Sequence, residues 1–261
     1  MSTLYNTTMK IEQLSEYIYK RLNLEQFESA DSSLNGLQFG SPAKEVKRVA
    51  CGVDASLSTF VKAAKWGADA LFVHHGLFWG KPIAITDLHY RRIECLFKND
   101  MALIAAHLPL DAHPQLGNNA TMARLLDLVE VSPFGLYNGH YIGYRGLFKE
   151  SSSIEEIVKL LNLGEESGLR VLSFGKKEIK SVGIISGGAA FDVLEAIDLK
   201  LDAYITGESS HTMFSYCQEA KMNMICGGHY ATEVFGVQMV AKDLKENLGL
   251  ETTFIDNPTA L

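Results

Sequence analysis

The sequence predicts an α/β protein of two related three-layer α/β/α domains that arose by internal duplication. Two observations support this fold class. Short apolar runs of strand length alternate with longer stretches of helical periodicity, which is the pattern of parallel sheets covered by helices on both faces. In addition, residues 49–75 and 182–208 follow the same course without a gap.

The repeat consists of the same features in the same order. Residues 49–75 and 182–208 each begin with a short apolar run that ends in small residues, and an amphipathic helix pattern follows. Each then reaches a second apolar run that an Asp-Ala pair introduces, at Asp69 and at Asp202. A chance match of two βαβ patterns is the alternative, but the registered pairs favour a duplication.

The likeness extends further along both halves. With a one-residue gap, MALIAAHLPLD (101–111) matches MNMICGGHYATE (222–233). The aligned polar residues are His107 with His229 and Asp111 with Glu233. The repeated His-x-x-x-acid spacing also favours a duplication.

The elements of the first half follow from these patterns in chain order. After an N-terminal helix in KIEQLSEYIYKRL, we expect strands near 48–53, 69–73 and 102–106, and helices near 56–66 and 87–99. Ser56 or Ser58 is expected to cap the helix near 56–66, and Asn118 or Asn119 to cap a helix in NATMARLLDL.

The second half has the same alternation. We expect strands near 181–186, 202–206 and 222–226, a helix over 233–248 that Gly249 ends, and a last strand in ETTFID. The glycine-rich region 131–150 is expected to cross between the halves. The predicted domains are residues 1–130 with 229–261, and residues 131–228.

Composition limits the kind of protein. Of the 261 residues, 47% are apolar and 21% are charged, as in ordinary globular proteins. No apolar run reaches the roughly 20 residues that span a bilayer, and the start MSTLYNTTMKIEQL lacks the parts of a secretory signal. The net charge of −7 argues against nucleic-acid binding, and four cysteines without C-x-x-C spacing suit a reducing compartment. We therefore expect a cytoplasmic protein that binds neither membranes nor nucleic acid.

Side chains that can ligate metal follow the predicted strands. Open α/β sheets bind ligands beyond the carboxyl ends of their strands. The candidates that emerge there are His74, His75, His107, Asp111, His229 and Glu233. If a helix has already begun at His229, the i to i+4 spacing places His229 and Glu233 on one face.

Two local features constrain the geometry of these candidates. Adjacent side chains on a strand point to opposite faces, so both imidazoles of DALFVHHG can face one site only if the strand ends before them. Gly76 makes such a bend easy. Asp111 lies in HLPLDAHPQLG, whose two prolines argue against a regular helix and predict a loop.

The donor set indicates the metal. Three imidazole nitrogens with two carboxylates suit zinc, iron, manganese or cobalt. Five ligands exceed what one catalytic zinc takes, whereas two ions about 3.5–4 Å apart, bridged by Asp111 or Glu233, would use all five. The predicted ligands are His74, His75, Asp111, His229 and Glu233, and the alternatives are His107, Glu208 and His211.

Other patterns have simpler explanations. SGGAAF (186–191) could cradle a phosphate, but it lacks the G-x-x-x-x-G-K-[ST] form, and a tight turn between strand and helix explains it. No G-x-S-x-G elbow supports serine-hydrolase chemistry. His89, His113 and His140 are expected to be hydrogen-bonded rather than metal-bound, and Cys226 to be a buried structural thiol.

Several segments are similar to the signature segments of the Nif-three family, whose bacterial members are named GTP cyclohydrolase type-2 homologues. They are FVHHGLFWG, HLPLDAH with GNN, GGHYATE, NGLQFG and GYRG, and the resemblance spans nearly the whole chain. It implies two related α/β domains with a dinuclear metal site in the cleft between them, commonly in a toroidal homohexamer. The family's ligands fall on the five residues already predicted. The family often has Trp-Asp-Asn-x before G-L-Q where this chain has SSLN, so no role is assigned to this turn.

The resemblance implies a metal-dependent hydrolase, GTP cyclohydrolase-like, acting on a purine nucleotide or a related phosphoester. Two divalent ions would lower the pKa of a water toward neutrality, and His107 or His211 could act as acid or base. A non-enzymatic metal-binding scaffold, metal-transfer or regulatory protein is the alternative. In a third interpretation, metal only stabilises the fold.

Overall fold

This computed structural model describes residues 8–261, which divide into two compact α/β units. The first unit runs to Leu110 and includes Gly236–Asn257, and the second comprises Asp111–Phe235 with Pro258–Leu261. The chain thus has the predicted α/β class. Residues 1–7, on which the expectation about a secretory signal partly depends, lie outside the described residues.

Strands and helices alternate along most of the described chain. The strands are β1 (Met9–Lys10), β2 (Gly36–Phe39), β3 (Glu45–Val46), β4 (Arg48–Asp54), β5 (Ala70–His75), β6 (Ala102–Ala105), β7 (Val129–Tyr137), β8 (His140–Ser152), β9 (Arg170–Ser173), β10 (Ile179–Ile184), β11 (Ala203–Thr206), β12 (Asn223–Cys226) and β13 (Glu251–Phe254). The α-helices are α1 (Ile11–Arg21), α2 (Leu57–Trp66), α3 (Asp87–Lys98), α4 (Leu108–Ala112), α5 (Asn118–Leu125), α6 (Ile154–Leu160), α7 (Val193–Asp198), α8 (His211–Ala220) and α9 (His229–Leu248). Short 3₁₀ turns span Leu24–Phe27, Glu165–Ser167 and Ala190–Asp192.

The first unit contains a five-stranded sheet in the order β13-β4-β5-β6-β2. Strands β13, β4, β5 and β6 are parallel, and β2 runs antiparallel to β6 at the edge. Its core includes Phe60, Leu71 and Leu103, which are fully buried. The parallel strands are continuous apolar runs because a sheet buried on both faces leaves no polar alternation.

The second unit contains a six-stranded sheet in the order β7-β8-β10-β11-β12-β9. Strands β10, β11 and β12 are parallel, whereas β8 and β9 run antiparallel to their neighbours. The region 131–150 lies in the β7–β8 hairpin of this sheet, and is not the predicted crossing between halves. Asn138 and Gly139 form the two-residue turn, with φ of 46° and 86°, the conformation for which Asn-Gly is the preferred sequence.

Helix α5 belongs to the second unit because of its apolar face. Met122, Ala123 and Leu126 lie in the same buried cluster as Val182 and Ile205. The sequence pattern predicts a boundary of the first domain at residue 130, whereas in the structure the segment that begins at Asp111 belongs to the second unit. The burial of this apolar face in the core of the second unit, rather than the order of strands in the sequence, determines where the two units divide.

Four strands of each sheet follow the same order. The sets are β4-β5-β6-β2 and β10-β11-β12-β9, each with three parallel strands and an antiparallel neighbour. Val49 pairs with Ala70 in the first sheet, and Val182 pairs with Ala203 in the second. The sequence alignment equates these same positions, which supports a duplication.

The aspartates of the two Asp-Ala pairs also have matching roles. Asp69 Oδ2 accepts hydrogen bonds from the backbone N–H groups of Lys47 and Arg48, both at 2.9 Å. Asp202 Oδ2 accepts from the N–H groups of Lys180 and Ser181, both at 3.0 Å. Each carboxylate thus satisfies the two donors at the start of the strand that precedes it.

Local signals explain several helix ends. The Ser56 hydroxyl accepts from the N–H of Thr59 at 3.2 Å, so the predicted cap of α2 is confirmed. Gly249, at φ 67°, follows the last residue of α9 as predicted. Asn118 and Asn119, however, do not cap α5. They are its first two residues and are fully buried, because their amides bind groups elsewhere in the second unit.

Membrane insertion and cysteine chemistry were two further questions raised by the sequence. No helix within residues 8–261 has both the length and the apolar character needed to cross a bilayer. All four cysteines are free thiols. Burial raises the pKa of the Cys226 thiol to about 12, which agrees with its predicted role as a buried structural residue.

Candidate metal centre

The histidine doublet ends a strand of the first unit. His74 and His75 are the last two residues of β5, so the expectation that the strand ends before them is wrong. His75 pairs in register with Asp54, the last residue of β4. Gly76 does not take a left-handed conformation. Its missing Cβ instead leaves room for the Gln38 side chain, which a Cβ there would overlap.

The strands that flank β5 hold the two imidazoles. His74 Nδ1 lies 3.0 Å from the carbonyl oxygen of Ala106, directly after β6. His75 Nδ1 lies 2.9 Å from Asp54 Oδ1, at the end of β4. The ring centroids are 4.5 Å apart. Because a carbonyl or carboxylate oxygen only accepts, Nδ1 is the donor in each neutral ring, and its lone pair is on Nε2.

His107 adds a third imidazole to this part of the first unit. The candidate ligand nitrogens of His74, His75 and His107 lie within 4.8 Å of one another. The Trp79 ring meets the His107 ring edge-on, with 4.9 Å between centroids. His107 Nδ1 lies 2.9 Å from Asp31 Oδ1. The first unit therefore gathers three histidines into one group that could hold a metal ion.

In the second unit, His229 and Glu233 share one face of α9. The helix begins at His229, four residues before the predicted start, so the i to i+4 relation applies as expected. His229 Nε2 lies 3.2 Å from Glu233 Oε1. Glu208, predicted as an alternative ligand, has its Oε1 2.6 Å from His229 Nδ1. Both ring nitrogens of His229 therefore face carboxylates.

This surrounding charge changes the titration of His229. Burial opposes protonation of the ring, but hydrogen bonds and charge from Glu233 and Glu208 outweigh it and raise the pKa to about 9. The imidazole is therefore a cation at neutral pH when no metal is bound. A bound divalent cation would take the place of that proton, since metal ligation requires the neutral ring.

Asp111 lies on helix α4 and not in the predicted loop. Pro109 occupies the first turn of this helix, where its missing N–H is not needed, so proline does not prevent the helix. Asp111 is only 6% exposed. Its Oδ1 accepts from Asn118 Nδ2 and from Ser186 Oγ, both at 2.9 Å. These donors fix the orientation of the carboxylate.

Gly187, in SGGAAF, provides space beside His229 and Glu233. Its φ is +68°, and a Cβ there would overlap the Glu233 carboxylate and lie 3.1 Å from His229 Nε2. The Gly187 N–H donates to the Thr232 hydroxyl at 3.0 Å. The segment is the predicted turn between strand and helix, but it also shapes the surroundings of two candidate ligands.

The structure separates the predicted site residues into two classes. All five predicted ligands belong to groups of His, Asp and Glu side chains that could hold a metal ion. His211 differs, since it is exposed at the start of α8 and, within residues 8–261, joins none of these groups. His113 Nδ1 accepts from the N–H groups of Gln115 and Leu116, so it is hydrogen-bonded as expected.

The residues that hold the histidines were not predicted from the sequence. Asp31 and Asp54 bind the Nδ1 atoms of His107 and His75. Asp54 directly follows an apolar strand, and this position beside the carboxyl edge of the sheet was a usable signal. Asp31 had no such signal, because it lies in the turn DSSLNG and does not follow a predicted strand.

Comparisons with known proteins agree on one family. The Duf34/NIF3 (NGG1p interacting factor 3) family matches residues 9–260. A Treponema pallidum protein named GTP cyclohydrolase 1 type 2 homolog is 39% identical, over 97% of this chain and all of its own length (100%). A Deinococcus radiodurans protein of the same name is 42% identical over 88% of each chain. The crystal structure of TTHA1606 from Thermus thermophilus has a TM-score of 0.87 and 37% identity, covering 97% of this chain and 100% of that one.

Proposed function

The chain belongs to the Duf34/NIF3 family, and from this premise we propose that it is a dinuclear metal-dependent hydrolase. The proposed substrate is a purine nucleotide or a related phosphoester, because the similar proteins are named GTP cyclohydrolase 1 type 2 homologs. The proposed ions are zinc, iron or manganese, which all accept imidazole and carboxylate ligands.

The arrangement of the histidines carries this proposal. The proposed ligands are His74, His75, Asp111, His229 and Glu233. Nδ1 of His75 and of His229 faces a carboxylate, and Nδ1 of His74 faces a carbonyl oxygen. Histidines that ligate metal almost always have such a partner on the other ring nitrogen, because it fixes the tautomer and the ring orientation.

The two carboxylates complete the donor set. Glu233 and Asp111 are 3% and 6% exposed, and buried carboxylates require paired positive charge. Two divalent ions held by these carboxylates and the histidines would provide it. Gly187 keeps a Cβ away from the Glu233 carboxylate, so the residues present fit a cation.

Both the bound ions and the side chains of the protein would contribute to the reaction. When bound, the two ions would act as Lewis acids and make water more acidic. His107 would accept the proton of that water at Nε2, and His211 is the alternative acid or base. Asn118 and Ser186 would keep Asp111 oriented through their hydrogen bonds.

Metal analysis tests the first part of the proposal. Protein purified without added metal is expected to contain two divalent ions per chain, which anomalous scattering would locate. Glu233→Ala should lower this content. Glu246→Ala is the matched control, because Glu246 lies exposed on the same helix and pairs with the exposed Lys242 at 3.9 Å.

Turnover of a panel of nucleotides and phosphoesters tests the second part. We expect hydrolysis that falls by more than about a hundredfold in Glu233→Ala, since loss of a ligand should exceed the 10–100-fold cost of losing a ligand's partner. Activity that survives this substitution would come from a contaminant. Bound metal without turnover of any substrate would favour the alternative, a non-enzymatic scaffold, metal-transfer or regulatory protein.

The family resemblance also supports a proposal about assembly and location. We propose that the chain works as a cytoplasmic homohexamer. Size-exclusion chromatography with light scattering would give the mass of the assembly directly. A monomeric or dimeric mass at micromolar concentration would contradict the hexamer.

A further inference from the structure

Asp31 is a buried carboxylate that accepts hydrogen bonds from four donors. Its side chain is 1% exposed. Oδ1 accepts from the N–H of Ser33 at 2.9 Å, and Oδ2 accepts from Asn35 Nδ2 at 2.9 Å and from the N–H of Leu108 at 3.0 Å. The fourth contact joins Oδ1 to His107 Nδ1 at 2.9 Å. All of these residues belong to the first unit.

This environment keeps Asp31 ionised. Burial raises the cost of the charge, but the hydrogen bonds from His107, Asn35 and the backbone outweigh it, so the pKa of Asp31 lies below its usual value. An ionised carboxylate can only accept hydrogen bonds. The atom that faces it, His107 Nδ1, must therefore carry a hydrogen.

The same short turn also holds the backbone of His107. Asn35 Oδ1 accepts from the N–H of His107 at 2.8 Å, while its amide donates to Asp31. The segment from Asp31 to Asn35 thus fixes both the backbone and the ring of a residue 76 positions away from the aspartate. The Trp79 ring also contacts this imidazole in an edge-to-face arrangement.

We infer that Asp31 is a positioning residue that holds His107 as the Nδ1–H tautomer, with the Nε2 lone pair available to accept a proton beside His74 and His75. The source of that proton rests on the proposed function, in which water supplies it. His107 gains the proton at Nε2 and becomes an imidazolium, while its Nδ1–H stays in place. Asp31 remains the hydrogen-bond acceptor of Nδ1–H and does not take a proton itself.

Nuclear magnetic resonance of ¹⁵N-histidine-labelled protein reads the tautomer directly. Spectra of the metal-free protein and of the zinc-loaded protein are compared, and the His107 signals are assigned by their loss in His107→Gln. We expect Nδ1 of the wild-type ring to carry a hydrogen, because the Asp31 carboxylate faces it. A ring that carries its hydrogen on Nε2 and none on Nδ1 would overturn the inference.

Asp31→Asn tests the cause of the tautomer. The NH2 group of an asparagine would meet the donors of Asn35 and Leu108 if it took the place of Oδ2, so we expect it in the place of Oδ1. The His107 ring then accepts at Nδ1, and the tautomer shifts toward the Nε2–H form. Asp127→Asn is the matched control, because it makes the same substitution at an exposed aspartate that pairs with Lys149, and it should retain the wild-type tautomer. An unchanged tautomer in Asp31→Asn would contradict the inference.

Metal content and turnover separate this inference from the proposed function. We expect Asp31→Asn to bind metal as the wild type does and to lose turnover by about 10²-fold, the low end of the usual contribution of an acid or base. If no substrate is turned over, the hydrolase proposal fails. The measured tautomer of His107 then still shows whether Asp31 positions the ring. If Asp31→Asn loses metal instead, His107 acts as a ligand and the assignment of Asp31 to proton transfer is wrong.

Discussion

Asp69 and Asp202 each accept two consecutive backbone N–H groups at the start of the strand that precedes them, at 2.9 Å and 3.0 Å respectively. The two residues belong to different units but to equivalent positions of the repeated sequence. A carboxylate suits this place because the first N–H groups of a strand need acceptors that the sheet does not supply. The shared contact supports a common origin of the two sheets.

Asp202 should make the stability of the second unit depend on pH. Burial opposes its ionisation, but Lys176 and the donors of Lys180 and Ser181 outweigh it and lower its pKa. A lowered pKa stabilises the folded state above the unfolded pKa of about 3.9, and this gain is lost as the pH falls through the folded value. We expect Asp202→Asn to cost about 1–3 kcal/mol at pH 7 and progressively less below about pH 4.

Denaturant unfolding at neutral and acid pH measures this difference. Asp127→Asn is the control, because that aspartate is exposed and pairs with the exposed Lys149 at 2.7 Å. An equal loss of stability for Asp202→Asn at both pH values would show that the charge of Asp202 is unimportant.

Asp54 should strengthen metal binding without touching the metal. Its carboxylate lies 2.9 Å from His75 Nδ1, and loss of such a partner typically weakens metal affinity 10–100-fold. We therefore expect Asp54→Asn to raise the Kd for zinc by about this factor in competition titrations with a chelator. Asp127→Asn should bind zinc like the wild type, and equal affinities for all three proteins would refute a role for Asp54.

Gly187 and Gly139 allow a matched test of the space beside Glu233. Both have a left-handed backbone, with φ of +68° and +86°, but only a Cβ at Gly187 meets Glu233, whereas nothing lies within 4 Å of one at Gly139. Both alanine substitutions should cost about 1 kcal/mol or more of stability from backbone strain. Only Gly187→Ala is expected to lower the metal content as well. Similar metal contents in the two variants would mean that this space does not serve the metal.

Metal removal should destabilise the folded chain. A ligand that binds only the native state at 100 times its Kd adds about 2.7 kcal/mol, so a chelator is expected to lower the Tm of the wild type by about 5–10 °C. Calorimetry with and without chelator measures the shift. In Glu233→Ala the chelator should have a much smaller effect. Coincident wild-type melting curves would argue against a bound metal that supports the fold.

The sequence by itself determined the parallel strands of both sheets and the spacing of His229 and Glu233. Periodicity locates the strands and helices to within a few residues, because apolar side chains repeat with the geometry of the element that buries them. The spacing of His229 and Glu233 likewise predicts a shared helix face, since it depends only on local backbone geometry. In contrast, the doublet and Asp111 were placed on the wrong elements, because a strand continues through His75 and a proline is tolerated in the first turn of α4.

Only the tertiary structure decided which side chains hold the histidines. Asp31 meets His107 across 76 residues and Asp54 meets His75 across 21, through the order and register of neighbouring strands. The space at Gly187 similarly depends on how a turn meets a helix that begins 42 positions later, at His229. Such contacts arise from the packing of separate elements, and the composition of each segment alone does not specify its partner.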